Sequence, residues 1–389
     1  DEMQAALLRV KLRHLDQMTE HKRSLAQAYF DGLPAWLSLP RRRDDEYDVF
    51  HIFGVRHRQR DALRAWLASA PNVPFHGAFD LAPASADASF RRYFRISAGG
   101  KTWIAMDAPP PQEDCRPFVK VAALMHEAGL HVPQVIAQDL ENGFLLLSDL
   151  GTTTYLNGFT ADNPDALFSD AIDALIQWQK ASRPGVLPPY DTALLQREVE
   201  LFSDWYVAKH LQTAFTPVQQ TVFSATSKLL IDAALAQPCV YVHRDYMPRN
   251  LMLSTPNPGV LDFQDAVYGP ITYDVASLFR DAFVSWPEER ELDWVIRYWE
   301  RAKAAGLPVN ADFAAFWCDF EWMGLQRHIK VLGIFARINY RDGKPHYLKD
   351  TPRFIQYARR VTTRYRELAA FARLLDELEG RAQSVGYTF

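Results

Sequence analysis

His243, Asp245, Asn250 and Asp262 fall in two short strings, Tyr241-Val-His-Arg-Asp-Tyr-Met-Pro-Arg-Asn250 and Gly259-Val-Leu-Asp-Phe263. Phosphoryl transfer from a nucleotide needs one carboxylate to orient the attacking hydroxyl. It also needs an amide and a second carboxylate to hold magnesium against the phosphates. His-Arg-Asp, four residues, Asn, and then an apolar run ending in Asp provide these groups in the required order. Asp245 is therefore the candidate catalytic carboxylate, with Asn250 and Asp262 as candidate magnesium ligands. The competing reading is a polar surface loop, since Asp and Asn are common turn formers.

Strands are needed to present such groups, and the pattern predicts them around the motif, from Cys239 to Asp262. Before it, residues Pro164 to Ala236 read as almost wholly helical, and after it the chain reads as helices rich in Trp, Tyr and Phe to Phe389. Further upstream, Phe90 to Ile96 and Thr102 to Met106 read as a hairpin around Gly99 and Gly100. Apolar residues at helical spacing predict a helix from Pro117 to Ala128 that stops at Gly129. A strand pair, Val135 onward and Gly143 to Asp149, completes a small β lobe with one helix.

Ahead of that lobe the sequence predicts a long helix from Glu2 to Phe30, a strand from Asp48 to Val55 and a short helix from Arg60 to Ala68. Asn72-Val-Pro-Phe-His-Gly77 carries the breaker residues of a linker. The domain reading is 1–70, 71–150 and 151–389.

The 389 residues, 48% of them hydrophobic, are ample for a two-lobed core. A formal net charge of −4 and a pI near 6.3 give no basic footprint for nucleic acid, so small soluble partners are expected. Cys115, Cys239 and Cys318 are isolated and odd in number, which fits neither a disulfide framework nor a metal cluster. No apolar run approaches the roughly 18 residues of a membrane helix, and no signal peptide opens the sequence. A cytoplasmic location with no membrane partner is expected.

The order of these elements resembles the protein-kinase-like fold, in the aminoglycoside phosphotransferase branch, over about residues 79 to 375. The resemblance implies an α+β architecture, with a small β-rich N-lobe, a large helical C-lobe and an N-terminal α/β extension. It makes Asp245 the acceptor of the hydroxyl proton and has His243 buttress the loop. Asp274, in Gly-Pro-Ile-Thr-Tyr-Asp274, would anchor it structurally.

The turn Ala84 to Ser89 takes the place of the phosphate-covering loop but has no glycine, so a nest of backbone amides is the physical requirement left. Ser85, Asp87, Ser89 and Asp149 are the candidate nucleotide-binding residues; an ordinary capped turn is the alternative. The lysine expected on the next strand is absent, with Met106 in its position. Arg91, Arg92 and Lys120 are the cations at hand, and spacing does not choose among them. The missing lysine admits a non-catalytic binding module as well as an enzyme, but the intact catalytic loop favours the enzyme.

Longer strings are similar to the anomeric aminosugar kinases of cell-wall recycling: Ser85 to Phe94, Met106-Asp-Ala-Pro-Pro110, Asp262-Phe-Gln-Asp-Ala266 and Gly324 to Arg337. That resemblance implies ATP- and magnesium-dependent phosphorylation of N-acetylmuramate and N-acetylglucosamine at the anomeric hydroxyl. It also implies an α-1-phosphate product, used by a downstream sugar-1-phosphate nucleotidyltransferase in peptidoglycan recycling, and makes Met106 a subfamily feature. Trp205, Asp265, Gln326 and Arg327 are the candidate sugar-binding residues, with core and ion-pair packing as the alternative. An aminoglycoside, choline or amino-alcohol acceptor is the other kinase reading.

The N-terminal strings Glu2 to Leu15, Val49 to Arg56 and Arg60 to Arg64 resemble the C-terminal small domain of PLP-dependent sugar aminotransferases. The Schiff-base lysine and phosphate cradle belong to a large domain that this sequence does not contain, so no aminotransferase activity is expected.

Overall fold

Short apolar runs between residues 80 and 148 assemble, in the computed structural model, into one five-stranded sheet. The structure describes residues 19–21, 23–24, 27, 37–38, 56–85 and 91–380. Two units emerge, one of residues 1–80 with 98–100 and one of residues 81–97 with 101–389.

In the first unit, β1 (Leu37–Ser38) pairs antiparallel with β2 (Arg56–His57), which runs into α1 (Arg58–Ser69). Leu63 and Leu67 of α1 are buried, and Arg64 lies over the Phe79 ring at 5.6 Å. Residues 19–21, 23–24 and 27 are helical, as expected; the rest of the predicted 2–30 helix and the 48–55 strand lie outside the described residues.

The sheet has the order β3 (Asp80–Ser85), β4 (Arg92–Ala98), β5 (Lys101–Asp107), β7 (Phe144–Ser148), β6 (Val135–Asp139). Gly99 and Gly100, at φ 56° and 75°, close the β4–β5 turn in a conformation that side chains with a Cβ resist. β3 is an edge strand and tolerates Pro83, whose missing N–H would break an interior ladder. Ala84 and Ser85, read from sequence as the opening of a turn, are the end of this strand. β7 lies between two neighbours and is apolar and buried from Phe144 to Leu147. Across from it Met106 pairs with Leu145. α2 (Arg116–Glu127) turns Phe118, Val121, Ala122 and Met125 inward, and Met106 joins the same core.

The remainder is largely helical, completing the α+β, protein-kinase-like arrangement. α3 (Pro164–Lys180) and α4 (Thr192–Leu201) come first, α4 passing into a nine-residue π-helix, Phe202–His210. α5 (Pro217–Ala236) opens on a capping box formed by Thr216 and Gln219. β8 (Cys239–Val242) then pairs antiparallel with β11 (Val267–Pro270), and β9 (Leu251–Met252) with β10 (Gly259–Val260). α6 (Tyr273–Phe279), α7 (Glu288–Ala304), α8 (Phe313–Asp342), α9 (Thr351–Thr362) and α10 (Ala369–Leu378) follow.

α8 runs 30 residues and is buried along much of its length. At Gly333 it meets the end of α4 so closely that a Cβ would stand 2.2 Å from the Leu201 carbonyl carbon. A second core gathers residues of the π-helix, α5, α8, α9 and α10. No helix among the described residues is long and apolar enough to cross a membrane.

Candidate active site

β8 delivers the chain to a sharp turn, with Arg244 at φ 76° in the left-handed region. Asp274, on α6, holds that turn. Its Oδ2 accepts the His243 N–H at 2.6 Å and its Oδ1 accepts the Arg244 N–H at 2.9 Å. Burial pushes the Asp274 carboxyl up to about 7, while these two N–H groups pull the other way. His243 is fully buried, which lowers its imidazole to about 4, and its Nε2 lies 3.0 Å from the Leu261 carbonyl. The ring thus ties the turn that carries Asp245 to Leu261, the residue before Asp262.

Asn250 ends a 3₁₀ turn, Pro248–Asn250, and donates from Nδ2 to the Asp245 carbonyl at 2.9 Å and to Asp262 Oδ2 at 3.4 Å. Asp262 takes φ 62°, and Gln264 Nε2 donates to its Oδ1 at 2.9 Å. One turn, one amide and one strand end therefore bring Asp245, Asn250 and Asp262 together. Among the described residues no three His, Cys, Asp or Glu side chains converge as a metal cage. An amide and a carboxylate nonetheless fit magnesium, which takes one or two carboxylates and completes its shell with water and substrate phosphates.

Behind the turn, the Arg244 guanidinium pairs with Glu198 of α4. The same carboxylate takes Lys330 Nζ of α8 at 2.7 Å and the Tyr190 hydroxyl, and Lys330 also donates to Tyr273 Oη at 2.9 Å. Burial opposes ionisation of Glu198, but Lys330 and Arg244 prevail and hold its carboxyl near 2.

A cavity of about 260 Å³ opens beside the turn that carries Asp245. Asp245, Asn250 and Asp262 line one part of it; Arg249, Arg327 and Lys330 contribute cations, and Phe283, Ile334, Phe335 and Tyr347 contribute an apolar wall. Arg249 lies over the Phe283 ring at 5.2 Å and donates to Tyr347 Oη at 3.2 Å.

Of the sugar candidates, Arg327 lines this cavity, whereas Trp205, Asp265 and Gln326 are not among its lining residues. Trp205 is half-buried on the π-helix against the second core. Asp265 is exposed and accepts from Gln264 at 3.3 Å, and Gln326 is fully buried with Nε2 3.5 Å from Glu198.

Among the nucleotide candidates, Asp149 accepts both Arg95 nitrogens, at 2.7 and 3.0 Å. Burial works against its charge, yet Arg95 and the Gly151 N–H keep its carboxyl below the usual range. Ser85 ends β3; its side chain, Asp87 and Ser89 lie outside the described residues.

Sequence reasoning missed Gln264, Arg249, Lys330 and the aromatic wall. Gln264 was visible between the two Asp residues of Asp-Phe-Gln-Asp. Lys330 follows Arg327 by three positions, which places both on one side of a helix.

Residues 80–309 match the phosphotransferase enzyme family, and residues 1–98 match the DegT/DnrJ/EryC1/StrS aminotransferase family. The chain is 59% identical over 329 residues to an N-acetylmuramate/N-acetylglucosamine kinase of Pseudomonas putida, covering 83% of this chain and 97% of that protein. Its N-terminal part is 44% identical over 69 residues to a dTDP-3-amino-3,4,6-trideoxy-alpha-D-glucose transaminase of Streptomyces venezuelae, which is 17% of this chain and 18% of that one. In fold it is similar to a choline/ethanolamine kinase family protein of Mesorhizobium loti, with a TM-score of 0.54 at 14% identity, covering 82% of this chain and 99% of that one. On the match over residues 80–309 and the shared identity along nearly the whole of that kinase, the chain belongs to the phosphotransferase enzyme family.

Proposed function

We propose that this kinase phosphorylates N-acetylmuramate and N-acetylglucosamine at the anomeric hydroxyl with ATP, giving the α-1-phosphate in peptidoglycan recycling. The observation that carries the reading is the cavity at Asp245, with carboxylates at the reacting end and Arg249, Arg327 and Lys330 elsewhere in its wall. Such a lining suits a sugar acid, whose carboxylate needs cations, and is poorly matched to a polycationic aminoglycoside. The names of its relatives point the same way.

In this reading Asp245 takes the proton of the anomeric hydroxyl as its oxygen attacks the γ-phosphorus, and the bond to the departing ADP oxygen breaks in line. Asn250 and Asp262 hold magnesium, which when bound offsets the phosphate charge. Gln264 keeps the Asp262 carboxylate turned, and Arg327 takes the lactyl carboxylate. Trp205, Asp265 and Gln326 belong to the surround of the acceptor, and Ser85, Asp87, Ser89 and Asp149 to that of the nucleotide. In the domain reading, residues 1–70 form an aminotransferase-like fragment, 71–150 the nucleotide lobe and 151–389 the catalytic lobe. A sugar-1-phosphate nucleotidyltransferase consumes the product.

Incubation with ATP, magnesium and a panel of sugars, followed by phosphorus and proton NMR, tests the reading. An anomeric phosphate on either aminosugar is the expected result. A 6-phosphate, or turnover confined to aminoglycosides or amino-alcohols, would overturn it.

A further inference from the structure

The nucleotide site of a protein-kinase-like fold draws on a strand lysine for its phosphates, but here β5 carries Met106, which is 0% exposed and part of the core beneath the sheet. A triphosphate still needs a cation beyond the metal. Of the basic side chains on and beside that strand, Lys101 is exposed at the hairpin end and Arg95 is tied to Asp149 at 2.7 Å, which leaves Lys120, Arg92 and Arg91. Lys120, on α2, gives its ammonium to the Val186 carbonyl at 2.6 Å. Arg92 pairs with Asp107, the residue after Met106, at 2.6 Å, and that carboxylate is wholly buried. Arg92 therefore pins the start of β4 to β5. Arg91, the residue before β4, pairs with a different carboxylate.

Arg91 Nε lies 3.7 Å from Glu113 Oε2, with the two side chains 12% and 19% exposed. Glu113 is fixed by its own N–H, which donates to the Pro109 carbonyl at 3.1 Å just ahead of α2. A cation from the residue before β4 thus meets a carboxylate three residues ahead of α2, much as a strand lysine meets its helix glutamate elsewhere. Burial disfavours the Arg91 charge, but Tyr93, Asp262, Glu113 and Asp265 together raise its pKa. Two of those groups, Asp262 and Asp265, lie on the segment between β10 and β11 that carries the candidate metal ligand. Arg91 thus stays charged within electrostatic reach of Asp262, where a nucleotide's phosphates would meet the metal.

We propose that Arg91, braced by Glu113, is the phosphate-binding cation of this site, supplying from the start of β4 the charge that β5 lacks. This rests on the kinase reading, not on the identity of the acceptor. A guanidinium presents a planar fork of donors that engages two phosphate oxygens at once, so it can serve from a different strand than a lysine's point charge. Arg92–Asp107 holds the backbone, and Glu113 keeps the fork from swinging into solvent.

The test is calorimetric binding of Mg·ADP and of adenosine to the wild-type chain and to Arg91→Gln, Arg91→Lys and Glu113→Gln, with melting curves for each. Arg91→Gln should weaken Mg·ADP by about tenfold or more while adenosine changes by less than about twofold, as fits loss of a charge-assisted phosphate contact. Arg91→Lys should recover part of the loss, and Glu113→Gln should fall between wild type and Arg91→Gln. Equal Mg·ADP affinity in wild type and Arg91→Gln would overturn the assignment. So would parallel loss of adenosine and Mg·ADP with a lowered melting temperature, because Arg91 would then only hold the lobe together. If no aminosugar is phosphorylated but Mg·ADP binding depends on Arg91 as described, the acceptor reading falls and this assignment stands.

Discussion

Asp274 accepts the His243 N–H at 2.6 Å, and its second oxygen takes the next N–H along the chain, that of Arg244, at 2.9 Å. One buried carboxylate therefore fixes two consecutive peptide groups where the backbone enters the left-handed region. Asp274→Ala would strand both donors, at a cost on the order of 2–4 kcal/mol, and would loosen the turn that aims Asp245. Chemical denaturation should show that loss, and phosphorylation should fall with it. A variant of unchanged stability and turnover would mean that the turn is held by other contacts.

Asp245→Asn keeps the shape of the side chain and removes the carboxylate that, in the proposed reaction, takes the proton. Loss of a positioned general base costs about 10²- to 10⁴-fold, so kcat should fall in that range while the melting temperature and Mg·ADP affinity stay close to wild type. A coupled ADP-release assay reads this directly. Turnover near the wild-type rate would remove Asp245 from the chemistry.

That Asp245, Asn250 and Asp262 converge could be read from sequence because the arrangement is local: with His243 they lie within one stretch of 20 residues between β8 and β11. The same holds for the hairpin at Gly99 and Gly100, whose positive φ values only a few residue types accept. The apolar wall of the cavity was not legible. Phe283, Phe335 and Tyr347 are far apart in the chain, and aromatic residues at helical spacing read as core whichever cavity they border. Gln326 and Arg327 show the limit most clearly, because successive helix residues point about 100° apart. Arg327 reaches the cavity, and Gln326 turns back to Glu198.

Glu198 ties Arg244 to Lys330, and its folded pKa of about 2 lies below the ordinary 4.5. The sign follows from linkage. The unfolded chain binds the proton more readily, so the stabilisation is present above pH 4.5 and is lost as pH falls toward 2. Glu198→Gln should flatten that part of the acid limb in a pH series of denaturation curves. At neutral pH it leaves Arg244 and Lys330 without their shared anion, a cost of about 3–5 kcal/mol. An acid limb identical to wild type would show that the group does not titrate as described.

Gly333→Ala tests the packing that carries α8 past the cavity at Asp245. Its Cβ would fall 2.2 Å from the Leu201 carbonyl carbon and 2.3 Å from the oxygen. These are backbone atoms that no rotamer change can move aside. Overpacking of this kind costs about 3 kcal/mol, and the helix that bears Arg327 and Lys330 must shift to relieve it. A melting temperature lowered by several degrees is expected, with weaker sugar binding. Unchanged melting would mean that α4 and α8 stand further apart than described.

Arg327 is 2% exposed, and its Nη1 has no hydrogen-bond partner among the described residues although the side chain lines the cavity. A buried guanidinium nitrogen left unmatched is costly, and an incoming carboxylate would satisfy it. N-acetylmuramate carries such a group and N-acetylglucosamine does not, so the two acceptors should respond differently when the charge is removed. Arg327→Met is expected to lower kcat/KM for N-acetylmuramate by about 10- to 100-fold, the worth of a charge-assisted contact. The value for N-acetylglucosamine should change far less, and Arg327→Lys should restore part of the difference. If both sugars lose the same factor, Arg327 acts through its neighbours Asp274 and Asp281, whose carboxyls its charge reaches. The discrimination between acceptors would then lie with Arg249, the cavity cation that lies over the Phe283 ring.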